Sequence, residues 1–172
     1  MKQRTPVSLV LSVVLALAAL GGGAGCKRAA GPNTNGAKER LAAFTKPGAD
    51  ALAETMKLRP QPADYDAVFV GDAAQKAKGA LEPVWDTLKG GLKPTPDQTQ
   101  IDVFTATADD LKKGDAHCPG GYKDIADKIN PKVVLYCFRF VKPGENTGTH
   151  GDGQVFVNDH WAMFPKAFKA FK

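Results

Sequence analysis

The chain has 172 residues, of which 43% are apolar, 8% aromatic and 24% charged, an ordinary globular composition that argues against a disordered chain, a collagen-like repeat and a cysteine-rich scaffold. Its formal charge of +5 includes Lys2 and Arg4; without them 21 basic residues face 18 acidic ones, spread along the chain in nothing longer than pairs such as Lys27-Arg28 and Lys112-Lys113. That lacks the concentrated basic footprint of a nucleic-acid-binding protein, so no nucleic-acid partner is expected.

Lys2 and Arg4 precede the apolar run 7–20, VSLVLSVVLALAAL, and small residues 21–25 follow before Cys26. This is the layout of a signal peptide, and the strictly apolar part is shorter than the roughly 20 residues of a spanning helix. Ala24, Gly25 and Cys26 resemble the end of a bacterial lipoprotein signal, in which small residues lead into a cysteine that is lipidated and becomes the mature N-terminus; Gly23 stands where the usual pattern has leucine. The resemblance implies a signal over 1–25, lipidation of Cys26 and a membrane partner through that anchor. By the same analogy Lys27 is not the aspartate that retains lipoproteins in the inner membrane, so an outer-membrane address is expected. Ordinary signal-peptidase cleavage near Gly25 is the alternative. Residues 26–38 carry Gly, Pro, Asn and Thr without apolar periodicity and read as a flexible tether, leaving 39–172 as one globular domain.

Within the domain, a helical stretch is expected over 39–44 and again over 49–58, with Leu52 and Met56 towards the core. Pro60 stops it, and Pro62 can open the next helix, where Tyr65, Val68 and Phe69 form an i, i+3, i+4 stripe. The strongest helical pattern starts at Asp72, with Gln75 as a capping-box partner, and runs towards Lys89 with Ala74, Ala77, Leu81, Val84, Trp85 and Leu88 on its apolar face. Pro83 predicts a kink or break, and Gly90-Gly91 an end.

Alternation over 101–106 predicts a strand, after which Thr107 caps a short helix ending at Gly114. A second short helix follows Gly120-Gly121, presenting Tyr122, Ile125 and Ile129 and ending at Asn130-Pro131. The clearest strand is 132–142, apolar on both faces and therefore central in an antiparallel sheet, with Arg139 in need of an acidic partner. Glycine-rich 143–153 reads as a loop. Asn158-Asp159 suits a two-residue type I′ turn that sets Phe156 opposite Trp161, and the tail carries Phe168 and Phe171 for packing onto the body. The class is therefore α+β, with N-terminal helices packed on a C-terminal antiparallel sheet of about four strands.

Ser8 and Ser12 are the chain's two serines and both precede Cys26, which excludes a mature serine hydrolase. The metalloprotease, thioredoxin-like and P-loop motifs are absent from the sequence. With Cys26 lipidated, Cys118 and Cys137 remain as an even pair for which a disulfide is the default in an oxidising compartment; two separate thiols are the alternative. The candidate binding loop holds Glu145, His150 and Asp152, where a glycine-rich backbone could present a base and a carboxylate together; a solvated connection is the plainer reading. His117 beside Cys118 is a poor thiolate pair because adjacent side chains rarely face each other. His160 reads as a hydrogen-bonded edge histidine. A metal site from His117, His150, His160 and Cys118 would need three distant loops to converge, so neither metal nor cofactor is expected.

Ala63-Asp64-Tyr65 with Val68-Phe69, Pro119-Gly120-Gly121-Tyr122, the stretch 138–144, and Asn158, His160 and Trp161 with 164–166 resemble a group of small uncharacterised bacterial lipoproteins. No activity comes with that resemblance. Helices followed by a curved sheet closing on a tryptophan hairpin are also loosely similar to the cystatin-like and NTF2-like cone, a frame that hosts binding modules and enzymes alike. The expectation is a lipid-anchored cell-envelope protein with a non-catalytic binding or interaction domain and an envelope protein partner. The alternative is an NTF2-like small-molecule module or enzyme with a pocket near His150 and Asp152.

Overall fold

The structure, a computed structural model, describes residues 31–114 and 117–172; the signal, Cys26 and the tether up to residue 30 lie outside the described residues. The first helix, α1 (Thr34–Leu41), starts inside the stretch assigned above to the tether. Asn33 is extended and its Oδ1 accepts the Gly36 N–H at 2.9 Å, while Ala37 and Leu41 are fully buried. One cap and two buried side chains thus start a helix in a sequence with no visible apolar period.

A 3-10 turn, Ala42–Thr45, follows where a helix through residue 44 was expected, and α2 (Ala51–Met56) is shorter than the predicted 49–58. Asp50 caps α2, its Oδ1 accepting the Leu52 and Ala53 N–H groups at 3.0 Å. Leu52 and Met56 are only half-buried; Thr55 and Leu58 are the buried side chains here. The Thr55 hydroxyl accepts the Leu92 N–H at 2.8 Å, so a polar residue ties α2 to the segment after α4. In α3 (Pro62–Val68) proline occupies the first turn and Tyr65, Val68 and Phe69 are buried, as the stripe predicts.

The long helix is α4 (Ala73–Asp86). Asp72 is itself helical and its side chain caps nothing, so the expected box with Gln75 does not form. The helix runs through Pro83 and ends at Asp86, not Lys89. Proline removes one donor, but so close to the C-terminus few turns remain to be broken. Ala74, Ala77, Leu81 and Trp85 are buried, whereas Val84 is 48% exposed. Arg59 bridges Glu82 and Asp86 and fastens the chain before α3 to the solvent face of α4.

Four strands, β1 (Gln100–Ala106), β2 (Leu135–Val141), β3 (Gly148–Val157) and β4 (His160–Met163), form one antiparallel sheet in the order β1-β2-β3-β4. The molecule is of the α+β class. β2 is interior, as its two apolar faces require, and Arg139 meets the carboxylate directly opposite on β1, Nε to Asp102 Oδ2 at 2.8 Å. On one face Phe140 meets Phe44 edge-on at 6.1 Å; on the other Cys137 is bonded to Cys118 and Phe104 lies 4.5 Å from the His117 ring. Both faces are covered.

Between β1 and β2 comes α5 (Ala108–Lys113), where Thr107 and Asp110 form a reciprocal capping box and Gly114 ends the helix at φ 80°. The run of 3-10 turns Gly120–Lys128 buries Tyr122 and Ile125. Asn158 and Asp159 have φ of 48° and 62°, the two left-handed residues of a type I′ turn, and the Phe156 and Trp161 rings stand 5.2 Å apart. A last 3-10 turn, Ala167–Phe171, packs Phe168 on Tyr122 and Phe171 beside Phe69.

The Asp102 pair gives the fold an acid-sensitive contact. The hydrogen bond from Gln100, and then the one from Arg139, hold the Asp102 carboxyl below the usual carboxylate range. A depressed native value stabilises the fold above the unfolded value of about 3.9 and is lost as pH falls through the native one. The stability gap between the wild type and Asp102→Asn should therefore be full above about pH 5 and shrink on acidification. Urea titrations from pH 7 to pH 2.5 read this, and a pH-independent gap would assign the difference to packing.

Candidate functional site

The predicted loop 143–153 is the main correction. Strand β3 begins at Gly148, so His150 and Asp152 lie on a strand, and Glu145 stays behind in the turn, 3.6 Å from Lys142. The candidate trio is not one loop. Glycines in this stretch permit contact with β2: a Cβ at Gly151 would fall 2.2 Å from the Phe138 ring, and one at Gly148 would fall 1.9 Å from the Phe140 carbonyl oxygen.

Register shifts by one residue between the Tyr136–Gln154 and Phe138–Gly151 pairs, so β3 carries a bulge at Asp152 and Gly153. Gly153 takes φ 75°, and the bulge turns the Asp152 carboxylate inward. Asp152 Oδ1 accepts the Tyr122 hydroxyl at 2.7 Å and the Lys166 N–H at 2.6 Å, and Tyr122 Oη also lies 3.1 Å from the Phe164 carbonyl. Burial first, and the Asp152 charge second, push the Tyr122 phenol well above its ordinary value. Asp152 therefore clamps the segment after β4 to the 3-10 run. Since one oxygen accepts both bonds, Asp152→Asn should cost under about 1 kcal/mol and Asp152→Ala about 2 kcal/mol, because only the latter removes the acceptor of the Lys166 N–H and leaves the Tyr122 hydroxyl with the longer Phe164 bond alone. Denaturant midpoints decide it; equal losses would make the charge, not the bonds, the stabilising feature.

His150 is exposed and lines two depressions together with Gly151 and Asp152. One, of about 200 Å³, has Val84, Trp85, Leu88 and Leu92 as its apolar wall, with Met163 and Lys166 opposite. Trp85 is itself buried, and its indole N–H has no acceptor among the described residues. Gly91 presses so closely on α2 that a Cβ would fall 1.9 Å from the Ala51 carbonyl oxygen, which fixes the position of Leu92. The other depression, of about 370 Å³, has the disulfide, Phe104, His117 and Arg139 around it. Arg139 is stacked 5.2 Å over Phe104 and bonded to Asp102 and to the Asn146 carbonyl.

The remaining candidates are committed to structure. Cys118 and Cys137 form a disulfide with Cα atoms 5.4 Å apart, so the His117-Cys118 thiolate pair does not exist in this state. His160 Nε2 lies 2.9 Å from Asp64 Oδ2 and Nδ1 lies 3.0 Å from the Asn158 carbonyl, as an edge histidine should. Sequence reasoning missed its partner. Asp64 is fully buried, accepting Gln61 N–H at 2.6 Å and Asn158 Nδ2–H at 2.7 Å, and so joins α3 to the hairpin turn. An acid in the first turn after Pro62 was the available signal. Among the described residues no cluster of three His, Cys, Asp or Glu side chains could hold a metal ion. No family model, curated protein or solved structure matches this chain.

Proposed function

We propose that the chain is a lipid-anchored envelope protein, cleaved before Cys26 and held by acyl chains on that residue, whose α+β domain works by binding and not by catalysis. The observation that carries the reading is the Cys118–Cys137 disulfide. It pairs both cysteines of the domain, as expected in an oxidising compartment, and leaves Cys26 as the odd one, directly after an apolar run. The binding half is supported by what Asp152 and Cys118 do: each is engaged in holding the fold. An envelope protein partner and an outer-membrane address belong to the same proposal.

The test is the intact mass of protein extracted from host membranes, with thiol alkylation before and after reduction. Cleavage before Cys26 with added acyl mass, and alkylation of Cys118 and Cys137 only after reduction, is the expected result. An unlipidated mass, or two thiols that alkylate without reduction, overturns it.

A second reading, a small-molecule module or NTF2-like enzyme, is favoured by the depression of about 370 Å³ beside His150, a volume within the range of ligand pockets. Native mass spectrometry of the extracted protein separates the two: a stoichiometric small ligand, released on unfolding, supports this reading over the first.

A further inference from the structure

We propose that the free edge of β3 at Gly148 and His150, with the apolar depression beside it, binds an extended peptide segment that carries a large apolar residue next to an acidic one. This deepens the binding half of the proposed function and rests on that half alone, not on the anchor.

The two-residue turn makes Val157 and His160 a hydrogen-bonded pair, so alternation points the backbone of Val155 and Gly153 towards β4. The Phe164 N–H bond to the Gly153 carbonyl, 2.8 Å, is the rung that follows. Past the bulge, Gly151 and Thr149 sit opposite Phe138 and Phe140 and face β2, which leaves the N–H and C=O of Gly148 and His150 directed away from it. No strand lies on that side among the described residues, because the chain leaves the sheet at Pro165 and turns at Lys166, φ 51°.

Edges are commonly blunted by lysine, proline or a covering element. Residues 148–153 contain no lysine or proline, and His150 is exposed. Beside the edge stands the wall of Val84, Trp85, Leu88 and Leu92. At about 200 Å³ the depression is below the size of a typical ligand pocket and suits one or two side chains of a longer partner. A strand added to β3 sends alternate side chains to one face, and every second one can enter.

Charge sets the remaining preference. Lys166 and His150 border the depression and neither has an ion pair among the described residues, while the carboxylate that lines it, Asp152, is buried and already bonded. An acidic residue in the partner meets an unpaired cation there.

The probe is an array of synthetic seven-residue peptides of alternating valine and polar residues with a central leucine or phenylalanine, in aspartate-bearing, lysine-bearing and scrambled sets, presented to the purified full chain. The aspartate set should bind best. His150→Pro, which removes an outward donor, and Val84→Glu, which charges an exposed wall position, should each weaken binding at least tenfold, and Lys166→Ala should level the aspartate over lysine preference. Val84→Glu keeps the test decisive if His150→Pro unfolds. Bound peptide should slow hydrogen exchange at the His150 amide. Binding indifferent to scrambling or to Val84→Glu overturns the proposal, as does an array with no binding. Self-association abolished by Val84→Glu would assign the edge to a second copy of the chain instead. The array reads the β3 edge and the intact mass reads Cys26, so failure of one is distinguishable from failure of the other.

Discussion

Gly153→Ala should lower the unfolding free energy of the described domain by about 3 kcal/mol or more. Two costs add. At φ 75° an L-residue pays roughly 1–2 kcal/mol for the left-handed conformation. The new Cβ would then lie 2.1 Å from the Phe164 carbonyl oxygen and 2.8 Å from the Tyr122 hydroxyl, one rigid backbone atom and one buried polar atom that already shares a bond with Asp152. Relief of the clash requires separation of the bulge from the end of β4, an overpacking cost of about 1–3 kcal/mol.

Gly144→Ala is the internal control. Its φ is 85°, but a Cβ there would meet nothing within 4 Å, so only the conformational cost of roughly 1–2 kcal/mol applies. Urea unfolding of the two variants side by side separates strain from collision. Equal losses would mean that the bulge relaxes freely, and would undermine the argument that Gly153 fixes the direction in which Asp152 points.

The same glycines explain where sequence reasoning failed. Gly148, Gly151 and Gly153 look like loop punctuation because a glycine in sequence announces freedom, not what it approaches. Here two of the three are close-contact positions against the Phe138 ring and the Phe140 carbonyl, and the third makes a bulge. Nothing local distinguishes these uses, since the neighbour is a strand about ten residues away. Three signals contained within a few residues were read correctly, the Thr107 cap, the Asn158-Asp159 turn and the apolar alternation of β2, whereas the box of Asp72 with Gln75 was not. Among the tertiary pairings, the disulfide and the acidic partner of Arg139 were anticipated, but two others were not. Asp64 is legible as a helix-start acid but not as the hub of the hairpin turn, and Tyr122 is legible as apolar but not as the donor to Asp152. Asn33 shows a third limit, because a single good cap started α1 in a stretch whose composition reads as a linker.

Loss of the Cys118–Cys137 bond should be the second large effect, about 3 kcal/mol on the chain-entropy account for a sequence separation of 19. The bond joins the 3-10 run to the middle strand of the sheet, and Cys137 is buried there between Phe138 and Tyr136 in sequence. Released, the segment before Gly120 would be held to the sheet by the His117 ring on Phe104, an exposed contact of small worth. The double variant Cys118→Ala with Cys137→Ala should therefore unfold at roughly 10 °C lower temperature, with its denaturant slope raised or unchanged. Reduction of the wild type should reproduce the shift, and the two treatments together should not add. Were the alanine pair as stable as the oxidised protein, the bond would serve no folding role. Its value as a sign of an oxidising compartment would then stand alone, without a stability reason for the pairing. The clamp at Asp152 offers a check on independence: it engages Tyr122, only four residues beyond Cys118, so the losses from Asp152→Ala and from reduction should add to less than their sum if one loosened segment answers for both.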